Sequence, residues 1–355
     1  MLTTQQPVLR RFWYPVMPID QLINGPQSFT LFGQPLVLWL DGDGKPAALG
    51  DRCCHRSAQL SLGIVQNGCV RCPYHGWEFD TQGSCVKVPQ LDTETTIPKT
   101  YRVPAFQCAE RYGYVWVCLD EDPLHPIPDI PEFADANFRF IPEFYEPWNV
   151  SGLRAIENSF DSAHGHFVHA SSWGDQSNPQ PPPIDEVTET DFGFVMKHWL
   201  EVLNPDLQKK NLGIGEEKTI RTNTRTWYVP FARTLKIQYP NGLTHLIFTA
   251  YTPIDDQRSQ VVQFCLRNDT EADAKAADII AFDRQVTSED RVILEGTDYD
   301  APLSLAEEQH MASDRPGIIM RHRLARLLKE HGETEQRRPD RATPATPAKV
   351  AAARI

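Results

Sequence analysis

Two cysteines and two histidines near the start of the chain form two short pairs that could bind a metal. Cys53 and His55 make a Cys-x-His pair, and Cys72 and His75 make a Cys-x-x-His pair. Thiolate and imidazole ligands argue against Mg²⁺ and Ca²⁺, which prefer oxygen ligands. The ligand types therefore leave zinc, or an iron–sulfur cluster in which two cysteines hold one iron and two histidines the other.

The order of the ligands separates these two possibilities. Zinc fingers usually pair Cys with Cys and His with His, whereas each pair here is mixed, which favours the cluster over structural zinc. Cys53-x-His55 with the run from Cys72 to Trp77 resembles the Rieske signature of ring-hydroxylating oxygenases. Cys54 departs from that signature, which usually has proline between the first Cys and His, and we expect this extra thiol to take no part in binding the cluster.

A second set of metal-capable side chains lies between positions 158 and 169. The spacing Asn-x-x-Asp-x-x-His-x-x-x-x-His, from Asn158 through Asp161 and His164 to His169, resembles the mononuclear iron motif of the same oxygenases. A polar helix face with satisfied histidines is the alternative interpretation. The two histidines are five residues apart, so they converge only if the helix bends or unwinds, which Gly165 would allow.

A non-heme Fe(II) that activates oxygen needs a carboxylate beside its two histidines. The resemblance implies that this third ligand comes from a C-terminal helix and is Asp290. Independently, Asp290 lies four residues after Val286 and three before Ile293, near an apolar stripe where an unpaired carboxylate is costly. Glu289 and Asp298 are the alternatives.

Asp161 lies one helical turn before His164, where a carboxylate could accept the second N–H of a ligating histidine. The resemblance implies a further role, in which Asp161 connects His164 to His75 of a neighbouring subunit and carries electron transfer between the two metals. A head-to-tail contact of this kind closes into a ring, so we expect a homotrimer. Asn158 is a weaker candidate for a supporting role beside the ligands.

The elements that must position these residues divide the chain into two domains. Short apolar runs separated by turns up to Cys118 predict a small β-domain, and prolines between 122 and 140 predict a linker. Strand patterns then recur between 192 and 264, followed by helical patterns at 271–294 and 317–330. We therefore expect an α+β protein with domains at 1–140 and 141–331 and a disordered tail at 332–355. By resemblance, these are a Rieske [2Fe–2S] β-domain and a helix-grip (START-like) domain with an antiparallel sheet.

Composition narrows the partners and the location. The 355 residues carry a net charge of −12, which argues against nucleic acid or an anionic membrane surface as the main partner. No apolar run approaches the roughly 20 residues that span a bilayer, and positions 1–11 lack the apolar core of a secretory signal. The eight cysteines are then more plausible as free or metal-bound thiols than as disulfides. We expect a cytoplasmic protein.

The resemblance implies the function of a terminal oxygenase. Electrons from NAD(P)H would pass through a separate reductase or ferredoxin to the Rieske cluster and on to mononuclear Fe(II), which activates O₂. The spacing of the iron motif is most similar to the single-component branch, so we expect mono-oxygenation, by hydroxylation or oxidative demethylation, of a small aromatic or polycyclic substrate. A cis-dihydroxylating dioxygenase, a non-catalytic Rieske electron-transfer or redox-sensing protein and a structural zinc protein are the alternatives.

The substrate pocket is the least defined prediction. Aromatic residues of the predicted strands are candidates to line a mostly apolar pocket, although aromatic strand residues are more often plain core. The candidates are Trp199, Trp227, Tyr228, Phe231 and Phe248. The sequence alone does not identify a charged anchor for the substrate.

Overall fold

The computed structural model describes residues 1–92, 94–184 and 186–340. Its N-terminal half is built from short strands. They are β1 (Tyr14–Pro18), β2 (Gln27–Leu31), β3 (Gln34–Leu40), β4 (Pro46–Gly50), β5 (Ile64–Gln66), β6 (Cys69–Arg71), β7 (Glu78–Phe79), β8 (Cys85–Lys87), β9 (Ala105–Arg111) and β10 (Tyr114–Cys118). All pair antiparallel, in one sheet of order β1-β10-β9-β4-β3-β2 and a second of order β5-β6-β7-β8.

The two predicted cluster loops leave neighbouring points of this β-domain. The first follows β4, and the second connects β6 to β7. Cys53 and Cys72 belong to the same buried cluster as Trp39, Leu49 and Phe79, which draws side chains from both sheets. The loops are therefore anchored at their cysteine ends by the hydrophobic core.

The C-terminal half is one antiparallel sheet with helices against it. The strands are β11 (Arg139–Trp148), β12 (Glu186–Thr190), β13 (Gly193–Leu203), β14 (Lys218–Tyr228), β15 (Ala232–Gln238), β16 (Thr244–Pro253) and β17 (Ser259–Arg267). The helices are α1 (Gly152–Asn158), α2 (Gly165–Val168), α3 (Asp206–Leu212), α4 (Ala276–Leu294) and α5 (Arg315–Glu330). The strand order is β11-β17-β16-β15-β14-β13-β12, and α4 packs on β11 while α1 packs on β16.

This architecture confirms the predicted fold class, and β13 to β17 lie in the region from 192 onwards where the sequence predicts strands. β11, β12 and α3 were not predicted. β11 contains Pro142 and Pro147, which the sequence pattern excludes from a central strand, but β11 is an edge strand with an irregular register between Pro142 and Phe144. An edge strand tolerates proline because one of its sides needs no ladder hydrogen bonds.

The apolar stripe predicted on the long C-terminal helix is wrong at one position. In α4, Ile279 and Phe282 are buried, but Ile293 is 55% exposed and Leu294 is buried instead. The inward stripe of α4 continues in steps of four through Val286 and Asp290 to Leu294. Asp290 therefore faces inward, as the periodicity predicted, although its apolar neighbour was misidentified.

The predicted disordered tail from 332 begins too early. The carbonyl of Gln336 accepts the N–H of Leu2 at 2.7 Å, and Arg337 pairs with Asp300 at 2.8 Å. These contacts fix the segment by polar interactions that hydrophobic patterning does not reveal. Positions 341–355 lie outside the described residues, and among the described helices none is both long and apolar enough to cross a membrane.

A charged network ties α1 to the C-terminal segment. Arg321 of α5 is buried and donates to Glu157 of α1, and it also pairs with Glu308 at 2.6 Å. Arg154 of α1 binds the same Glu308 carboxylate at 2.5 Å. Burial alone would raise the pKa of Glu308, but the two arginines outweigh it and lower that pKa to about 2. Because α1 leads directly into the histidine segment, this network also holds one end of the candidate iron site.

Candidate metal centres and the adjoining cavity

The two cluster loops share one backbone design. The N–H of Cys53 donates to the carbonyl of Ala58 at 2.9 Å, and the N–H of Cys72 donates to the carbonyl of Trp77 at 2.8 Å. In each loop the acceptor lies five residues after the cysteine. The two loops therefore turn back in the same way, and each cysteine occupies the same position in its loop.

Each loop closes through a second hydrogen bond that needs an unusual backbone conformation. Ser57 N–H donates to Cys53 at 2.9 Å, and Gly76 N–H donates to Cys72 at 3.1 Å. Ser57 has φ of 56° and Gly76 has φ of 75°, both in the left-handed region. Glycine adopts this conformation without strain, which accounts for Gly76 directly after His75.

The four predicted cluster ligands lie together. Cys53 and Cys72 are 3% and 2% exposed, while the rings of His55 and His75 lie toward the surface with their centroids 4.6 Å apart. Burial, with a contribution from Cys72, raises the pKa of the Cys53 thiol to about 12. Such a thiol stays protonated unless a metal takes up its charge.

The arrangement fits a [2Fe–2S] centre with its cysteine-bound iron inside and its histidine-bound iron at the surface. The Nδ1 atom of His75 is buried and has no hydrogen-bond partner among the described residues, as a metal-binding nitrogen would in the absence of its ion. Cys54 is exposed, unlike the two cysteines of the pairs. That Cys54 takes no part in binding the cluster stays a prediction.

The second histidine pair converges because the helix is interrupted. α1 ends at Asn158, and His164 and His169 flank the single turn of α2 at its two ends. Their Nε2 atoms lie 3.5 and 3.4 Å from the same Oδ1 atom of Asp290. One nitrogen from each histidine and one oxygen from Asp290 all lie within 4.8 Å of one another, so these three side chains can bind one ion.

Gly165 contributes to this geometry by packing rather than by bending. It lies within α2, and a Cβ atom there would come 2.4 Å from the ring of Trp173. The tryptophan ring also packs at a tilt against His169, with ring centroids 4.9 Å apart. The absence of a side chain at 165 thus lets Trp173 support the second histidine.

Glu289, an alternative for the third ligand, instead binds the far side of a histidine. Its carboxylate accepts from His169 Nδ1 at 2.9 Å, from Ser171 at 2.5 Å and from Ser172 at 2.8 Å. This hydrogen bond leaves His169 Nε2 directed at Asp290, as expected of a metal-ligating histidine with a carboxylate partner. Burial also lowers the pKa of His169, which keeps the ring neutral and able to bind a metal.

The other acidic candidates take different positions. Asp298 pairs with Arg338 at 2.9 Å, which directs its carboxylate to the C-terminal segment. Asp161 lies 3.5 Å from His164 Nδ1 and is 36% exposed. Burial alone would raise the pKa of Asp161. Its interactions with His164 and with the N–H of Ala163 are stronger, so the pKa of Asp161 is lowered overall.

A cavity of about 110 Å³ adjoins the histidines, and its lining differs from the predicted one. Asn158 lines it, but none of the five aromatic candidates does. Trp199 is 47% exposed on the outer face of β13, and Tyr228 lines a separate pocket. The others, Trp227, Phe231 and Phe248, are buried core residues.

Charged and apolar side chains line the cavity together. Three arginines, Arg221, Arg225 and Arg233, come from the inner face of the sheet, opposite α4. The other charged groups are Asp161, Asp283 and Asp290, and the apolar ones include Leu235 and Phe282. The sequence does carry a signal for two of the arginines. Arg221 and Arg225 alternate in step with Trp227 along β14, so the face that holds a core tryptophan must also hold both arginines.

The mixed Cys/His loops on a β-domain, joined to a two-histidine, one-carboxylate group on an antiparallel sheet, define a Rieske-type oxygenase. Residues 12–107 match the model of the Rieske [2Fe-2S] domain, and residues 148–330 match that of the vanillate O-demethylase oxygenase C-terminal domain. The chain belongs to the Rieske non-heme iron oxygenases, as the resemblance predicted.

Individual relatives are similar over nearly the whole chain. Methylxanthine N1-demethylase NdmA from Pseudomonas putida is 31% identical over 349 residues, which covers 95% of this chain and 94% of the relative. The solved structure of Pseudomonas putida CBB5 NdmA with caffeine superposes with a TM-score of 0.79 at 30% identity, covering 92% of this chain and 93% of that one. A crystal structure of dicamba monooxygenase, at 23% identity and a TM-score of 0.76 over 91% of this chain and 98% of that one, shares the fold. The predicted class of oxidoreductase, an O₂-dependent Rieske monooxygenase, is confirmed.

Proposed function

We propose that this chain is the terminal oxygenase of a multicomponent system that hydroxylates or oxidatively demethylates a small ring compound. The observation that carries the proposal is the convergence of His164, His169 and Asp290 on one point at a cavity. When bound, a Rieske cluster supplies electrons and a mononuclear Fe(II) in such a site supplies oxygen activation. The cluster ligands would be Cys53, His55, Cys72 and His75.

The protein residues prepare the iron site in two ways. Glu289 holds His169 in the tautomer that leaves Nε2 free for the ion. His164, His169 and Asp290 would hold the iron through two nitrogens and one oxygen, and all three also line the cavity that would receive oxygen and substrate. Asn158 lines that cavity in a supporting position.

Asp161 is proposed to connect two subunits. Its carboxylate lies 3.5 Å from His164 Nδ1 and is still 36% exposed, so it can reach a group on another chain. The cluster loop displays Tyr74, 64% exposed, next to His75, and Leu62 nearby in sequence is 70% exposed. Apolar side chains exposed beside a redox centre favour a protein contact there. We therefore propose a head-to-tail homotrimer in which His75 of one subunit meets Asp161 of the next.

The reaction type is proposed from the relatives together with the site. Both NdmA and NdmB are named as demethylases, and NdmB is 28% identical over 88% of each chain. Electrons would come from NAD(P)H through a separate reductase or ferredoxin, in the cytoplasm.

The test is product formation by the holoenzyme with a reductase, NADH and O₂. A panel of methoxylated, N-methylated and polycyclic compounds is assayed for formaldehyde and for hydroxylated products, with reductase omitted as the control. The proposal predicts product coupled to NADH oxidation. A Rieske EPR signal without mononuclear iron would indicate an electron-transfer protein instead, and zinc without acid-labile sulfide would indicate a structural zinc protein.

A further inference from the structure

Three arginines share the cavity with the candidate iron ligands. Arg221 and Arg225 lie on β14 and Arg233 on β15, and all three line the same space as His164 and Asp290. Arg221 and Arg225 are 7% and 9% exposed, so their charges are held away from solvent. An interior position for this much positive charge needs a compensating partner.

No such partner is present in the part of the chain that the structure describes. Within 4.0 Å, no carboxylate oxygen there pairs with any of these three guanidinium groups, and the Nε atoms of all three are buried without an acceptor. Their polar contacts are with neutral groups. Arg221 donates to the Tyr239 hydroxyl at 3.4 Å, and Arg225 donates to the carbonyl of Asp161 at 3.3 Å.

Buried arginines elsewhere in this chain are paired. Arg267 is 1% exposed and binds Asp269 at 2.5 Å, and Arg321 is 4% exposed and binds Glu308 at 2.6 Å. The fold thus supplies a carboxylate where an arginine serves structure alone. The cavity arginines lack one, which distinguishes them from structural arginines.

The three cavity arginines also destabilise one another. Burial, and then the charges of Arg233 and Arg221, lower the pKa of Arg225 to about 9. Asp161 and Asp290 act in the opposite direction, but both of these carboxylates already interact with His164. Three interior positive charges without carboxylate partners among the described residues cost stability, and an anion bound among the arginines would reduce that cost.

We infer that the cavity binds a substrate carrying an oxyanion, an aromatic carboxylate or sulfonate, through Arg221, Arg225 and Arg233. Guanidinium groups bind such oxygens with paired, charge-assisted hydrogen bonds, which would use the unsatisfied N–H groups. The opposite end of the substrate then faces His164, His169 and Asp290. The cavity is small, about 110 Å³, which disfavours a polycyclic compound.

This inference rests on the proposed function for its statement of which end of the substrate faces the iron ligands. Binding of an anion to the arginines can be measured independently of that function. The metal-loaded holoenzyme is titrated calorimetrically with 4-methoxybenzoate, 4-methoxybenzenesulfonate and the neutral, similarly shaped 4-methoxybenzamide. We expect at least one of the two anions to bind at least tenfold more tightly than the amide. The inference is overturned if the amide binds as tightly as both anions, and the identity of the tighter anion distinguishes carboxylate from sulfonate.

Turnover in the same samples separates the two proposals. Selective binding of an anion without product from any compound would support the anion site and contradict the proposed hydroxylation or demethylation of such compounds. Demethylation of the amide in preference to the anions would support the oxygenase and contradict the anion site.

Variants identify the groups responsible. Arg225→Gln and Arg233→Gln should each weaken binding of the anion by roughly 10- to 100-fold, as for loss of a charged hydrogen-bond donor, with little effect on the amide. Arg258→Gln is the matched control, because Arg258 pairs with Asp255 on the exposed β16–β17 turn. Unchanged anion preference in both cavity variants would contradict the assignment. The wild-type comparison of anion and amide needs no variant and decides the question if either variant fails to fold.

Discussion

Replacing Glu289 with glutamine tests whether Glu289 orients His169 or instead binds iron, the role assigned to Asp290. Glu289 is 13% exposed and accepts three hydrogen bonds, from His169 Nδ1 and from the hydroxyls of Ser171 and Ser172. Glutamine preserves the shape but removes the charge, so His169 keeps its position and loses a stronger acceptor. Mutating such a hydrogen-bond partner of a metal-ligating histidine typically lowers metal affinity by about 10- to 100-fold. The expected loss is therefore about 1.4–2.7 kcal/mol of iron-binding free energy.

The assay is chelator competition for the mononuclear iron, with the visible spectrum of the Rieske cluster recorded in the same sample. Glu295→Gln is the control, since Glu295 directly follows α4, pairs with Arg291 at 2.9 Å and contacts no histidine among the described residues. Iron affinity in Glu289→Gln that equals both the wild type and this control would refute the orienting role. Complete loss of iron would mean that Glu289 is itself a ligand.

Other predictions concern the subunit contact, the packing of the iron site and the charged network. Asp161→Asn should retain both metal centres yet slow single-turnover reoxidation of the reduced cluster in the presence of substrate and O₂; an unchanged rate would contradict the bridge. Gly165→Ala should force Trp173 away from α2, at a cost of about 1–3 kcal/mol, and weaken iron binding; wild-type iron affinity and melting temperature would contradict this packing role. Because the folded pKa of Glu308 lies below its unfolded value, its stabilising effect is present above about pH 4.3 and lost as pH falls toward 2. Glu308→Gln should therefore lower the unfolding free energy by about 1–3 kcal/mol at pH 7, and the difference from wild type in denaturant melts should shrink below pH 4; a constant difference would contradict the pairing.

The metal-capable residues could be predicted from the sequence because ligand type and spacing are local properties. The pairs Cys53/His55 and Cys72/His75 each lie within one loop, and the structure places all four side chains together. The strands of the C-terminal domain are predictable for a related reason, because apolar and polar residues alternate along a strand that has one buried face. The family resemblance supplied what spacing alone left open, the choice of Asp290 as a third ligand.

The remaining features depend on contacts between distant segments. Glu289 and Asp290 are adjacent in the sequence, yet they contact different nitrogens of His169. Glu289 lies against Nδ1 and Asp290 against Nε2, and this depends on how α4 is oriented toward His169. The sequence indicates only a bend at Gly165, because the contact of this residue with Trp173 arises from tertiary packing. Alternation along β14 places Arg221 and Arg225 on the buried face, but the general tendency of arginine to face solvent argues against an interior position.

The central claim is that His164, His169 and Asp290 form the mononuclear iron site of this oxygenase. The most direct test is to measure iron, acid-labile sulfide and the Rieske EPR signal in Asp290→Ala beside the wild type. We predict that the variant loses one iron per chain and all product formation while its sulfide content and EPR signal stay unchanged. A variant that retains the mononuclear iron at the wild-type level would contradict the assignment.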